Sequence, residues 1–203
     1  MHQRSVVAAN GSGALRLQRL IVLPQLETPH TRIRLAEEAD AAKLLRYRVE
    51  NRAHLAPWEP LRETEYYTLE HCVKTIVGGY DNAMHDRGYP LVAFDHAEQA
   101  ILATCNFANL VRGAFQACHL GYGVDARMQG KGLMREVLQV GIAWAFGELH
   151  LHRIMANYLP RNERSAKLLA SLGFEREGYA KRYLQIAGVW EDHILTALIG
   201  PGG

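Results

Sequence analysis

The stretch Gly121-Tyr122-Gly123-Val124-Asp125-Ala126-Arg127-Met128-Gln129-Gly130-Lys131-Gly132-Leu133 decides the fold. It reads as the end of a strand, a Gly-rich turn and the first residue of a strong helix. Such a turn directs successive backbone N–H groups at one point, and the helix dipole adds partial positive charge there. Gly130 and Gly132 let an anion approach the backbone without a Cβ in the way. The expected ligand is a phosphate or pyrophosphate. Two other phosphate motifs do not fit. Gly121-x-Gly123-x-x-Ala126 has the spacing of a dinucleotide fingerprint, but the helix opens after Gly130 rather than among those residues. A Walker A loop needs Gly where Asp125 stands and Ser or Thr where Gly132 stands.

Downstream, Leu133 to Phe146 is the clearest helix, with Leu133, Val137, Val140 and Trp144 on one face. A strand at Ile154–Tyr158, a helix at Asn162–Leu172 capped by Gly173, and strands at Tyr179–Ile186 and Trp190–Leu198 follow. Upstream, Thr31 to Leu35 alternates as a half-buried strand does. Glu37 to Arg52 reads as a helix with Leu44, Leu45 and Val49 as its stripe. Pro57 and Pro60 bound a loop, and a second helix spans Thr68 to His85, with Gly78-Gly79 weakening its middle. Strands are expected at Leu91–Phe94, Ile101–Phe107 and Phe115–Val124. A turn at Asp95–Gln99 joins the first two, and a long excursion at 108–114 joins the second pair. The order β-α-α-β-β-β-α-β-α-β-β gives an α/β (α+β) fold: a mixed sheet with helices on its faces.

At 203 residues, one domain spans 27–203, preceded by an extension at 1–26. That extension carries Arg4, Arg16 and Arg19 and no acid before Glu27. It reads as a mobile tail or, alternatively, as a mitochondrial targeting leader. A formal charge of +2 excludes a strongly basic nucleic-acid coat. No apolar run approaches the roughly 20 residues of a membrane span. Three cysteines are too few for a disulfide framework, so a reducing compartment is the simpler reading. His71-Cys72, Cys118-His119 and His150-x-His152 lack zinc-site spacing, so no metal is expected.

Arg127-x-x-Gly130-x-Gly132 resembles the acyl-CoA signature of the GCN5-related N-acetyltransferase (GNAT) family. Asn157, Asn162-Glu163-Arg164-Ser165 and Leu172-Gly173-Phe174 extend the likeness. The resemblance narrows to the ribosomal-protein-alanine N-acetyltransferases (RimJ type) through five blocks. They are His54-Leu55-Ala56-Pro57-Trp58-Glu59-Pro60, Asn109-Leu110-Val111-Arg112-Gly113, Gln129 to Met134, His152 to Tyr158 and Gly178-Tyr179-Ala180-Lys181. It covers about residues 28 to 198.

The resemblance implies the GNAT fold: a mostly antiparallel sheet whose fourth and fifth strands splay apart to take pantetheine. It implies acetyl transfer from acetyl-CoA to the α-amino group of a small-subunit ribosomal protein, in the cytoplasm, by a monomer or homodimer. No nucleic-acid contact is expected beyond the ribosome. Val124 is then expected at the pantetheine. Arg127, Met128, Gln129, Gly130, Lys131, Gly132 and Leu133 are expected at the pyrophosphate, and Asn157 and Asn162 beside the CoA arm. Near the cradle, Lys131, Arg161 and Arg164 are expected to meet CoA phosphates, the alternative being a solvated basic face.

Many relatives protonate the leaving thiolate from a tyrosine at the position of Leu169. Others use the Ser of N-x-x-S, which is Ser165 here, so Ser165 is the expected acid; the alternative is an ordinary helix-start hydroxyl. No Asp or Glu lies on Phe115–Val124 to act as base. Glu59 is the candidate, the alternative being a loop cap or surface ion pair. Trp58 and Tyr122 are expected against the acceptor, the alternative for Trp58 being an anchor of the loop in the core, and the oxyanion donor is expected from the backbone of Tyr122–Val124. A small-amine acetyltransferase, which acids around Glu59, Glu63 and Glu65 would favour, and a non-catalytic acyl-CoA-binding ribosome-assembly module are the competing functions.

Overall fold

The computed structural model describes residues 23–201. The expected extension at 1–26 therefore lies mostly outside the described residues. Its last positions do not belong to a tail, since Gln25–Glu27 form β1, antiparallel to β2 at Arg32–Leu35. A three-residue strand has too little alternation to register as periodicity. The helix expected over 37–52 is broken in three: a 3-10 turn at Glu38–Asp40, α1 at Ala41–Glu50 and α2 at Arg52–Leu55. The break falls at Asn51, a polar residue only 1% exposed. Val49, expected in the apolar stripe, is 53% exposed; Tyr47 and Arg48 are the buried residues of that turn.

Two further 3-10 turns, Ala56–Trp58 and Thr64–Tyr67, carry the Pro-bounded loop into α3 at Leu69–Met84. Thr68 caps α3 by accepting the His71 N–H. Gly79 is there for space. A Cβ would lie 2.7 Å from the Pro90 ring, so α3 packs on β3 with no room for a side chain. β3 (Tyr89–Phe94), β4 (Ile101–Val111) and β5 (Ala117–Val124) form a meander. β4 runs four residues further than its expected end at Phe107. Its pairing with β5 is irregular between Ala108 and Val111, where Asn109 takes a left-handed φ of 53°. Then come α4 (Leu133–Gly147), β6 (Arg153–Met155), α5 (Glu163–Ser171), β7 (Glu175–Ile186) and β8 (Val189–Ile199).

The eight strands form one sheet in the order β1-β2-β3-β4-β5-β6-β8-β7, antiparallel throughout except where β5 meets β6. That parallel ladder holds only Ala117 to His119 against Arg153 to Met155. Beyond it β5 continues to Val124, while the segment after β6 turns its hydrogen bonds to β8. Ala156 N–H donates to Thr196 O at 3.0 Å, and Tyr158 and Ile194 exchange a backbone pair. The sheet therefore opens as a V between Leu120–Val124 and 156–158, which is the expected splay.

α4 fills one face of the sheet. Leu133, Val137, Leu138, Ile142 and Trp144 pack with Cys105, Phe107, Leu120 and Leu169 in the larger core, each large side chain contributing about 1.5–3 kcal/mol over its exposed state. α1 and α3 cover the other face through Leu44, Tyr47, Cys72 and Ile76 on Val92, Phe94 and Ile101.

One buried ion pair anchors that second layer. Asp40 accepts from Arg34 at 2.7 Å, Lys43 at 2.8 Å and the Glu37 N–H at 3.0 Å. Burial opposes its ionisation, but these donors outweigh it and hold the carboxyl at about 2, below its ordinary 3.8. A depressed carboxylate adds stability above the unfolded value and loses it as pH falls through the folded one. Thermal stability should therefore fall between about pH 4 and pH 2, and Asp40→Asn should flatten that slope. Melting temperatures taken from pH 5 to 2.5 read the difference; parallel curves for both proteins would remove this role.

Candidate active site

The Gly-rich turn is built by a network that sequence reading misses. The Asp125 carboxylate accepts the Arg127 N–H at 2.8 Å and the Arg127 guanidinium at 2.9 and 2.6 Å. Arg127 holds the Asp125 carboxyl below its ordinary range. Asn51 accepts the Ala126 N–H on Oδ1 at 2.8 Å and donates to Asp125 at 3.4 Å and to the Tyr47 carbonyl at 3.0 Å. The helix break at Asn51 thus ties α1 to the turn. Arg127 is spent on shape: its guanidinium pairs with Asp125 and, at 3.1 Å, with Glu50. Arg127, expected at the pyrophosphate, braces the turn with its side chain.

The N–H groups of Arg127, Met128 and Gln129 are also used within the turn. Those of Gly130, Lys131 and Gly132 have no partner among the described residues, and the first-turn amides of α4 point the same way. Gly130 and Gly132 hold φ of 71° and 79°, the left-handed region open to glycine. This donor set, at a fifteen-residue helix, fits a diphosphate. Leu133 supplies only backbone, because its side chain is in the core. Met128 packs on the same core.

Two of the cations expected at CoA phosphates have protein partners. Arg164 donates to Gln129 Oε1 at 2.6 Å, and Gln129 Nε2 lies 3.2 Å from His54, so these three form a strap from α2 to α5. Arg161 pairs with Glu191 at 2.8 Å and lies 5.8 Å from the Trp58 ring centre. Lys131 and Arg135 are exposed with no ion pair among the described residues. Arg135 was overlooked. It stands in the first turn of α4, beside Glu136.

A cavity of about 490 Å³ lies on the α1–α3 side of β4 and β5. Tyr47, Trp58, Glu59, Tyr66, Thr104, Asn106, Gly121 and Tyr122 are among its lining residues. Trp58, 38% exposed, stands at its wall in the Ala56–Trp58 turn. Glu59 pairs with Arg62 at 3.3 Å and accepts the Ala187 N–H on its carbonyl at 2.9 Å, which fixes the loop to the β7–β8 hairpin. Tyr66 is stacked by the guanidinium groups of Arg48 at 3.9 Å and Arg62 at 4.5 Å. The Tyr47 hydroxyl is buried beside Gly123 and Thr104, and burial pushes its pKa up.

Across the V, the Tyr122 and Ser165 hydroxyls are 2.5 Å apart. Burial raises the Tyr122 phenol to about 12, the Ser165 bond opposing the rise. Asn162 caps α5 by accepting the Ser165 N–H at 3.1 Å, so it positions the serine. Asn157 lies two residues beyond the end of β6. It accepts the Thr196 N–H at 3.2 Å and donates to the Tyr183 hydroxyl at 3.3 Å, bracing the strand that leaves the V. Leu169 is 1% exposed, and its side chain lies in the core. Val124 sits at the free end of β5, paired on its other side with Ala103. Among the described residues no group of His, Cys, Asp and Glu is placed to share a metal ion, and the three cysteines are buried and free. Among the described residues no helix is long and apolar enough to cross a membrane.

The model of the acetyltransferase (GNAT) domain matches residues 30–175. The [ribosomal protein uS5]-alanine N-acetyltransferase of Escherichia coli (strain K12) is 46% identical over 182 residues, covering 87% of this chain and 91% of that protein. The ribosomal-protein-S5-alanine acetyltransferase of Vibrio fischeri superposes with a TM-score of 0.84 at 44% identity, over 88% of this chain and 98% of that one. RimJ of Mycobacterium smegmatis, in complex with CoA-disulfide, gives 0.80 at 30% identity, over 87% and 86%. With a splayed sheet, a glycine turn at α4 and these relatives, the chain belongs to the GCN5-related N-acetyltransferase family and is an N-acetyltransferase.

Proposed function

We propose that this chain transfers acetyl from acetyl-CoA to the N-terminal α-amino group, Ala or Ser, of a small-subunit ribosomal protein. The reaction is direct amine attack in a ternary complex, in the cytoplasm. One observation carries the reading: the acceptor cavity and the glycine turn flank the free end of β5, and the Tyr122 and Ser165 hydroxyls meet across the V. Gly130 to Gly132 and the first turn of α4 hold the pyrophosphate, with Lys131 and Arg135 on the phosphates. Val124 and the open β5 edge receive pantetheine. Backbone N–H groups between Tyr122 and Val124 steady the oxyanion.

The nitrogen must be neutral to attack. An α-amine, pKa near 7.8, is roughly one-tenth neutral at pH 7; a lysine near 10.4 is neutral at about one part in 2,500. One carboxylate, Glu59, therefore suffices as base. The cavity lining supports a peptide over a polyamine. It carries three arginines (Arg48, Arg52 and Arg62) against that single acid, while Glu63 and Glu65 are not part of it. The carbonyls of a peptide suit such a wall; a second ammonium does not.

Peptides with a free N-terminal Ala or Ser should be acetylated, and N-blocked peptides carrying an internal Lys should not. Mass spectrometry with acetyl-CoA and both peptide sets reads this directly. Equal rates on the lysine set would overturn the acceptor assignment, and faster turnover of spermidine would move it to small amines.

A further inference from the structure

Four charged residues line the acceptor cavity: Arg48, Arg52, Glu59 and Arg62. Glu59 and Arg62 pair with each other at 3.3 Å and so offset one another. Arg48 and Arg52 remain. Arg48 is 6% exposed. Its guanidinium donates to the Tyr66 carbonyl at 3.0 Å and to Thr75 at 3.1 Å, and it touches His71 and Cys72 at 3.2 and 3.4 Å. None of these is a carboxylate, and the Arg48 Nε has no partner among the described residues. Arg52 is exposed on α2 and stacks on the Tyr67 ring at 4.5 Å, with no ion pair among the described residues. Glu50, close to both in sequence, is turned to Arg127 at 3.1 Å, and Glu63 and Glu65 lie outside the lining. A buried cation without a counter-ion is costly, and low-dielectric walls focus its field into the space they enclose. An anion entering this cavity relieves that cost.

We infer that the acceptor supplies the anion: an aspartate or glutamate among residues two to four of the polypeptide being acetylated, held by Arg52 in the field of Arg48. The inference rests on the acetyl-transfer reading above. Leu55 sets the distance. Its Cδ2 lies 3.6 Å from the position a Cβ would take at Gly123, so the end of α2 stands over the free end of β5, where the amine arrives. Arg52 is three residues earlier, roughly 5 Å back along the helix, and its long side chain adds about as much again. An extended peptide advances about 3.3 Å per residue, which brings the guanidinium to the second, third or fourth residue. A free amino acid does not fit this spacing, because its carboxylate sits beside its amine.

Peptides of one sequence opening with Ala, and carrying Glu, Gln or Lys at residue two, three or four, test this with the full-length enzyme and acetyl-CoA. At one of the three positions kcat/KM should be about 5- to 20-fold higher for Glu than for Gln, and lower still for Lys. That preference should shrink in about 0.5 M salt, since Arg52 is exposed. Arg52→Gln should bring the Glu-to-Gln ratio to within about twofold of unity, and Arg52→Glu should turn the preference toward Lys. Each ratio is taken within one enzyme, so a general loss of activity does not mimic the result. Equal rates for Glu and Gln at all three positions overturn the inference, as does a Glu preference undiminished in Arg52→Gln. Free alanine turned over as fast as the peptides would place the anion beside the amine and overturn it too. These outcomes leave acetyl transfer itself standing. A wild-type enzyme that acetylates no amine in the same assay overturns that reading and the inference with it.

Discussion

Gly130→Asp should weaken acetyl-CoA binding by at least 10²-fold. Nothing lies within 4 Å of a Cβ built at Gly130, so the new side chain meets no wall and the fold has no reason to fail. The backbone holds φ at 71°, which aspartate and asparagine tolerate better than other side chains. What changes is charge. A carboxylate a few ångströms from a phosphate costs about 3–4 kcal/mol at an effective dielectric near 20, which is 10² to 10³ in affinity. Gly130→Asn is the control, with the same size and the same backbone demand but no charge. Isothermal titration should show Asn within about tenfold of wild type and Asp far weaker. Equal affinities for all three would mean that the anion sits elsewhere, and the assignment of Gly130 to Gly132 as the cradle would go.

The glycine turn was legible because its signal is local. A strand end, two glycines and a helix start lie within thirteen residues, and the apolar face of α4 announces itself at helical spacing. What holds the cradle was not legible. Asn51 reaches Ala126 across 75 positions, and nothing in α1 marks it as other than a helical polar residue. The same gap hid the bracing by Arg127. Its place in the signature is plain in sequence, but whether the side chain faces a ligand or folds back on Asp125 depends on a carboxylate two residues away and on Glu50 from another helix.

The fold shows the same division. Long elements with regular alternation stood out, while β1 and the three-pair β5–β6 ladder are too short for any periodicity to accumulate. The splay follows from that shortness, since the two strands part where pairing stops. Site residues on one helix turn were also readable: Asn162 and Ser165 are three apart, the spacing of a cap and its N–H donor. Tyr122 was read as an acceptor contact because a strand residue 43 positions away gives no hint that its hydroxyl touches the serine.

Ser165→Ala should lower kcat by about 10² to 10⁴, the range of one acid–base group. The helix should survive the change. Asn162 accepts from the Ser165 backbone N–H, which alanine keeps, and alanine is the better helix former. The side chain's only hydrogen-bond partner among the described residues is Tyr122, so the substitution leaves that buried phenol unpaired. The expected penalty is about 1–3 kcal/mol of stability, visible as a modest fall in melting temperature. Acetyl-CoA affinity should hardly move, because the cradle donors are backbone groups on the far side of the V. A loss in kcat with binding intact is the mark of an interaction made in the transition state. Glu59→Gln should cost less, and its deficit should shrink as pH rises through the amine's pKa near 7.8, where the acceptor no longer needs help to become neutral. A Ser165→Ala enzyme with near-full kcat would make the serine structural, and the proton would then have to reach sulfur from solvent or from another hydroxyl such as that of Tyr158.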